Sequence, residues 1–362
     1  MLNLNNYWDQ QTAIFLIIFL IAVFVSFRKK SDSGPLPKET SNELRGLAIL
    51  GVVFAHLTYG KFYGTEFLFP LGIWGGIMVN LFLFLSGFGL AASAIYHPKK
   101  ISDFYRKRLA KIYTPLWLVL VVLLLADAFI LGRFYPTREM FFSFLGFFPR
   151  AHLFESINSP LWFLTPLLFF YLFFPFIFKA KHPRLSVALI FIAGFFLSWI
   201  NWPVTDQVLS FYQSHWLALP LGILFAVFLS SLKKIRPLAD FWRWILIATL
   251  ALLAWETAYH SGVGQGLVLE QAYALFTMAC LVLLFIFKKS KFVFLEIIGV
   301  YSFEIYLLHW PLISRYDILY RFLPPWLATL FYLPLLLLLA WLLNYLARLM
   351  EEKIFGIKKY SH

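Results

Sequence analysis

This 362-residue chain has almost no cysteine and few acidic side chains. Its one cysteine, Cys280, lies inside an apolar run, which excludes a disulfide framework and a thiolate metal cluster. Charged residues make up 14%, and Asp plus Glu number 18 against 31 Lys plus Arg. So little charge does not suit two or three soluble domains of the same total length. Apolar residues take the space instead. They reach 61%, with 43 Phe, the composition selected when lipid is the solvent. The chain reads as a polytopic membrane protein.

Apolar runs fall at about 12–27, 46–63, 70–95, 112–132, 160–178, 185–202, 216–232, 242–259, 268–287, 295–314 and 326–347. They predict an all-α transmembrane bundle of about eleven spans, a few of them short for the roughly 20 residues a span needs. Lys and Arg alternate in the same rhythm: 25 of the 31 fall in one set of loops and 6 in the other. By the positive-inside rule the N-terminus is expected outside and the C-terminus in the cytoplasm. The net charge of +13 then needs no nucleic acid. The first run is followed by RKKSDSGPLPKETSN, and basic residues after the apolar run suit an anchor better than a cleaved signal. The expected division is an anchor and linker at 1–38, a transmembrane domain at 39–348 and a cytoplasmic tail at 349–362. The longest outer loop, about 133–158, is too short to fold alone.

Within the second run, ELRGLAILGVVFAHL carries Arg45 and His56 eleven residues apart. Three turns separate them, so they share a face, about 16 Å apart along the axis, one near a membrane surface and one near mid-bilayer. An ionisable group at that depth is a functional candidate by default, and histidine suits a general base; a buried, hydrogen-bonded histidine is the equal alternative. Arg106, Lys107, Arg108 and Lys111 cluster before a span and suit either a phosphate-rich ligand or anionic lipid headgroups. Gly87 and Gly89 read as helix contact points. Ser302, Tyr306 and His309 follow i, i+4, i+7 on one stripe, with Glu304 nearly opposite. His152, His215 and His260 fall in or near outer loops and read as solvated. His152 with Glu155 is the one outer pair marked as an acceptor contact.

Five segments, ELRGLAILGVVFAH, VNLFLFLSGFGL, RKRLAKIYTPLW, SPLWFLTPLLFFYLFFP and GVYSFEIYLLHWPLI, occur in the order seen in membrane-bound acyltransferase family 3. The chain resembles that family from about Glu39 to Leu346. The resemblance implies a ten-helix core, preceded here by one extra helix, that uses cytoplasmic acyl-coenzyme A to acylate a carbohydrate hydroxyl. By the same match His56 is the base or acyl carrier and Arg45 holds or orders the donor end. The Ser302–Tyr306–His309 stripe resembles the family's Ser-x-x-x-Tyr-Leu-x-His element. His309 is a candidate catalytic partner of His56 or of the acceptor, with a bundle-stabilising hydrogen bond as the equal alternative. The family's Arg-x-x-Arg pattern falls on Arg108 and Lys111. Lysine cannot make the bidentate contact, which leaves Arg106 as a substitute. Many members carry a glutamate after Trp-x-Leu; here Trp162, Phe163 and Leu164 are followed by Thr165, Pro166, Leu167 and Leu168. Trp162, Tyr171, Ser302, Glu304 and Tyr306 are candidate acceptor contacts.

The expectation is an O-acyltransferase of the cell membrane, specifically an O-acetyltransferase acting on an envelope or secreted glycan. Acetyl-coenzyme A is the co-substrate, with no permanently bound cofactor and no metal. Expected partners are the carbohydrate acceptor and membrane lipids, with hand-over to a separate extracellular transferase left open. A transporter of polysaccharide or lipid-linked sugar is the rival, favoured by inverted repeats or broken helices.

Overall fold

The structure, a computed structural model, describes residues 6–30, 36–98, 100–200, 206–231, 239–262 and 266–357. Parts of the expected linker (31–35) and tail (358–362) lie outside the described residues. So do Lys99, Lys233, Lys234, Arg236, Lys358 and Lys359 from the loop-charge count. In chain order the helices are α1 (Tyr7–Val25), α2 (Lys38–His56), α3 (Phe69–Gly72), α4 (Gly75–Tyr96), α5 (Ile101–Leu131), α6 (Thr137–Phe144), α7 (Leu164–Ile177) and α8 (Pro183–Trp199). They continue as α9 (Leu209–His215), α10 (Ala218–Ser231), α11 (Asp240–His260), α12 (Leu267–Phe287), α13 (Val293–Val300), α14 (Ser302–Ser314), α15 (Leu319–Phe322) and α16 (Pro325–Phe355). Helix is the form in which a lipid-embedded segment satisfies its own backbone groups. Among the described residues eight helical segments are long and apolar enough to cross a membrane. The protein is a multi-pass helical membrane bundle.

Each of the eleven apolar runs is helical, but three differ from simple spans. The 46–63 run begins earlier, at Lys38, and its charged first turns keep it below the apolarity of the others. The 185–202 run forms the shorter α8. The run at 295–314 was expected as one helix; instead it breaks at Tyr301, and its two parts are bent by 79°.

The chain divides into two compact units. The first comprises Met1–Ala92, Gln213–Ser302 and Asp317–Pro334; the second comprises Ser93–Tyr212, Phe303–Tyr316 and Leu335–His362.

In the first unit α1 is packed rather than appended. Phe15 is fully buried with its ring 5.6 Å from that of Phe54, and Thr12 accepts a hydrogen bond from the Leu68 amide at 2.9 Å. Leu68 has a φ of 57°, costly for a branched side chain, and this bond helps to hold it. The residues after α1 form strand β1 (Phe27–Lys29), which pairs antiparallel with β2 (Ser290–Phe292), Phe27 opposite Phe292. Helix α2 lies against α13 at backbone distance. α4 and α10 do the same, because Gly87 leaves a Cβ position 2.2 Å from the Leu219 carbonyl oxygen. Gly89 meets nothing within 4 Å.

In the second unit Asp127 of α5 is fully buried and receives Arg315, the Tyr135 hydroxyl at 2.6 Å and the Tyr316 hydroxyl at 2.6 Å. α5 also meets α7: the Tyr105 hydroxyl donates to the Leu172 carbonyl, and Phe104 stacks on Phe174.

Candidate active site

In the first unit Arg45 and His56 are both on α2, as the spacing predicts, and both are half-buried. His56 is the last residue of the α-helix; a π-helical turn, Leu57–Lys61, follows at once. Its signature is the Phe62 amide donating to Leu57 O at 2.8 Å. Such turns recur at functional sites because they re-aim the side chains beside them. His56 Nδ1 lies 2.9 Å from Val52 O. A carbonyl oxygen only accepts, so Nδ1 carries the hydrogen and the lone pair of the neutral ring is on Nε2. That is the tautomer of a general base. Arg45 and His56 each have further contacts within the protein.

Two residues before Arg45, Glu43 is fully buried and takes Lys288 as its ion-pair partner. The Phe292 amide also donates to Glu43, at 2.6 Å. Glu39 pairs with Lys291 at 2.6 Å, and Lys291 reaches Glu296 at 3.0 Å. These carboxylates fix the first turns of α2 to β2 and α13. Ser302, the last residue of this unit's central segment, is buried.

His215 belongs to the same unit and does not behave as a solvated loop residue. It is half-buried, with Nδ1 2.8 Å from Oδ1 of Asn80, which has no exposed surface. Sequence position put it near a loop, but the short α9 carries it inward to α4. An asparagine amid the apolar residues of α4 was the one signal available.

In the second unit His309 is fully buried, and Nδ1 donates to Tyr306 O at 2.7 Å. The lone pair is again on Nε2. The Tyr306 hydroxyl donates to Pro160 O, Asn158 Nδ2 to Leu307 O at 2.8 Å, and Trp310 Nε1 to Leu153 O at 2.8 Å. Three bonds therefore tie the 153–160 segment to α14. Trp162, just beyond it, stacks on Phe211 with ring centres 4.9 Å apart. Glu304 is buried although it faces away from the Tyr306–His309 stripe. It accepts from Asn344 at 2.5 Å, and the charges of Lys111 and Arg348 act on it. Polar residues on both sides of α14 are thus enclosed. Arg108 lies over the Tyr171 ring at 5.6 Å, which brings two predicted residues together, and Tyr171 is buried. Arg106 is exposed and pairs with Asp103 at 3.1 Å; Lys111 is exposed too. His152 and Glu155 are exposed.

Helices long and apolar enough to cross a membrane, with polar side chains buried among them, define a multi-pass membrane protein. Residues 42–345 match the profile of acyltransferase family 3, described as "Acyltransferase domain", and the chain belongs to that family. A curated relative, acyltransferase MdmB of Streptomyces mycarofaciens, is 33% identical over 146 residues, which cover 36% of this chain and 37% of that protein. The chain thus spans well under half the length of that relative. No solved structure matches.

Proposed function

We propose that the protein is an O-acyltransferase that moves an acetyl group from acetyl-coenzyme A to a carbohydrate hydroxyl of the cell envelope or of a secreted glycan. The observation that carries this reading is His56, at the junction of α2 with a π-turn, with Nδ1 committed to Val52 O inside the family-matched region. The acceptor hydroxyl oxygen attacks the thioester carbonyl carbon as His56 Nε2 takes its proton. The carbon–sulfur bond then breaks, the electron pair leaves on sulfur, and His56 returns the proton to the thiolate. The products are the ester and free coenzyme A. Water exclusion by the packed helices limits hydrolysis of the thioester.

Arg45, Arg106, Arg108 and Lys111 are the proposed donor contacts, since clustered cations suit the donor's phosphates. Trp162, Tyr171, Ser302, Glu304 and Tyr306 are proposed toward the acceptor, and His309 as a second proton-handling group. The Lys and Arg distribution supports a cytoplasmic donor side, an outer N-terminus and the inner or plasma membrane as the location.

The 79° break between α13 and α14 is the feature that suits the transporter reading, because transporters bind substrate at broken helices. The family match weighs for transfer. His56→Ala should abolish acylation of envelope glycans, read as loss of the 42-Da acetyl increment (about 42 Da for an acetyl group) by mass spectrometry, with expression and melting behaviour kept. Unchanged acylation would overturn the assignment. Saturable coenzyme A binding that is lost in Arg45→Ala separates an enzyme from a transporter.

A further inference from the structure

Asn80 is a buried polar group that the reading above leaves without a task. It has no exposed surface, its Oδ1 accepts from His215 Nδ1 at 2.8 Å, and its Nδ2 has no hydrogen-bond partner among the described residues. A buried donor with no acceptor is destabilising, and native proteins leave few of them. A leucine, like its neighbours on α4, would avoid the cost. The arrangement therefore holds a donor ready for an acceptor that the protein itself does not supply.

The surroundings say which acceptor. One turn earlier, Gly76 leaves a Cβ position 3.7 Å from His215 Cε1, and the Cβ position of Gly75 is 2.8 Å from the Cβ of Ala55. Ala55 directly precedes His56. The first turn of α4 is thus flanked by the His56 end of α2 on one side and by His215 on the other. Two consecutive glycines at this turn let the end of α2 and the His215 ring come close to the α4 backbone. A fixed donor on the helix that packs against the His56 end of α2, in a water-poor interior, suits the division of labour that acyl transfer uses. The base removes a proton from the nucleophile while a preorganised N–H meets the charge that develops on the carbonyl oxygen.

We propose that Asn80 is a catalytic residue whose Nδ2–H donates to the acyl carbonyl oxygen, and that His215 is a positioning residue that holds the amide in that orientation. This rests on the acyl-transfer reading with His56 as base. As the acceptor oxygen bonds to the carbonyl carbon, the C=O π electrons move onto oxygen and the hydrogen bond from Nδ2 shortens. When the carbon–sulfur bond breaks, those electrons return to re-form the carbonyl. Asn80 gains and loses no proton. His215 keeps its Nδ1–H on Oδ1 throughout, so the amide cannot rotate to present oxygen to oxygen.

The test uses the purified full chain with coenzyme A carrying a [1-13C]acetyl group, followed by isotope-edited infrared spectroscopy. Wild-type protein should bind the probe with its carbonyl band moved to lower frequency than in water-free solvent. Asn80→Asp, close in size, should bind it without that displacement. With membrane vesicles supplying the native acceptor, Asn80→Asp and Asn80→Ala should lower kcat by about 10²–10³-fold, the usual loss for an oxyanion donor, with KM for acetyl-coenzyme A little changed. His215→Ala should broaden the band and lower kcat, and His215→Asn, which still offers an N–H to Oδ1, should recover much of both. A band in Asn80→Asp identical to wild type, at equal binding and equal melting temperature, overturns the assignment and leaves the acyl-transfer reading intact. Failure of the wild type to bind the probe overturns the acetyl-donor reading and this assignment together.

Discussion

Gly46 on α2 faces Leu295 on α13 so closely that an ideal Cβ on Gly46 would stand 2.0 Å from the Leu295 carbonyl oxygen. The contact is reciprocal: a Cβ on Gly299 would stand 1.8 Å from Asn42 O. Backbone meets backbone at both points, so neither neighbour has a side chain that could swing aside. Arg45 is the residue next to Gly46 on α2.

Gly46→Ala or Gly299→Ala should therefore separate the two helices. Overpacking costs about 1–3 kcal/mol even where side chains adjust, and here the backbone has to move. The detergent-solubilised variants should melt several degrees lower and bind coenzyme A more weakly. Gly89→Ala, on a face that meets nothing within 4 Å, should melt like the wild type. Equal melting of Gly46→Ala and Gly89→Ala would refute the seam.

The buried pair of Glu43 and Lys288 predicts a pattern that a surface pair would not give. Lys288 also lies over the Phe285 and Phe292 rings, 4.1 and 4.5 Å from their centres. Removing one partner strands a charge in a place with little water, at a cost of about 3–5 kcal/mol, whereas replacing both with apolar residues is often near neutral. Glu43→Leu and Lys288→Met should each lower the melting temperature. The double variant should recover most of the loss. Additive losses in the double variant would show that the pair is not coupled.

The fold was largely legible because lipid leaves a chain few options: each apolar run had to be helical, and each run is. What composition could not reveal is how backbones approach. Gly46 and Gly299 are unremarkable among 19 glycines until α13 is seen to bend away at Tyr301. A run of apolar residues carries no mark of a 79° turn. The site divides in the same way. Arg45–His56 and the Ser302–Tyr306–His309 stripe were readable from helical spacing. His215 was not, since its role depends on Asn80, 135 positions earlier, and loop-adjacent histidines look solvated in sequence. The β1–β2 ribbon was hidden for a similar reason: its strands are three residues each and joined across most of the first unit's sequence.

Lys30 offers a check on the ribbon through its proton. Its Nζ donates to Phe285 O at 2.7 Å, and burial, with Lys288 nearby, lowers its pKa from the ordinary 10.5 to about 8. Between those two values the folded chain binds fewer protons at Lys30 than the unfolded chain does. Stability from this group therefore rises with pH across that window, and the cost of charging it is fully present below about 8. Reductive methylation followed by peptide mass spectrometry should show half-maximal labelling of Lys30 near pH 8 in the folded protein. Lys288→Met removes a repelling charge and leaves Glu43 unneutralised, so the midpoint should move upward. A midpoint near 10.5 in the wild type would show that Lys30 is not buried against α12.

The Tyr306 hydroxyl, donated to Pro160 O, makes a prediction about the 153–160 segment. Asn158 to Leu307 O and Trp310 to Leu153 O are the other two ties, and His309 lies on the same helix between Tyr306 and the end of these contacts. Tyr306→Phe keeps the ring and its packing 5.8 Å from Phe163 but removes one tie and leaves the Pro160 carbonyl without this donor. A net hydrogen bond is worth about 0.5–1.5 kcal/mol, and a stranded buried group costs more. Hydrogen exchange at residues 153–163 should therefore quicken by roughly tenfold, while α14 itself, held by its own helical bonds, stays protected. Trp310→Phe should act at the opposite end of the segment, quickening Leu153 and its neighbours before Ser159. If exchange in both variants quickens uniformly over α14 and the segment, the segment is not a separately tied element, and its three bonds report only the global stability of the unit.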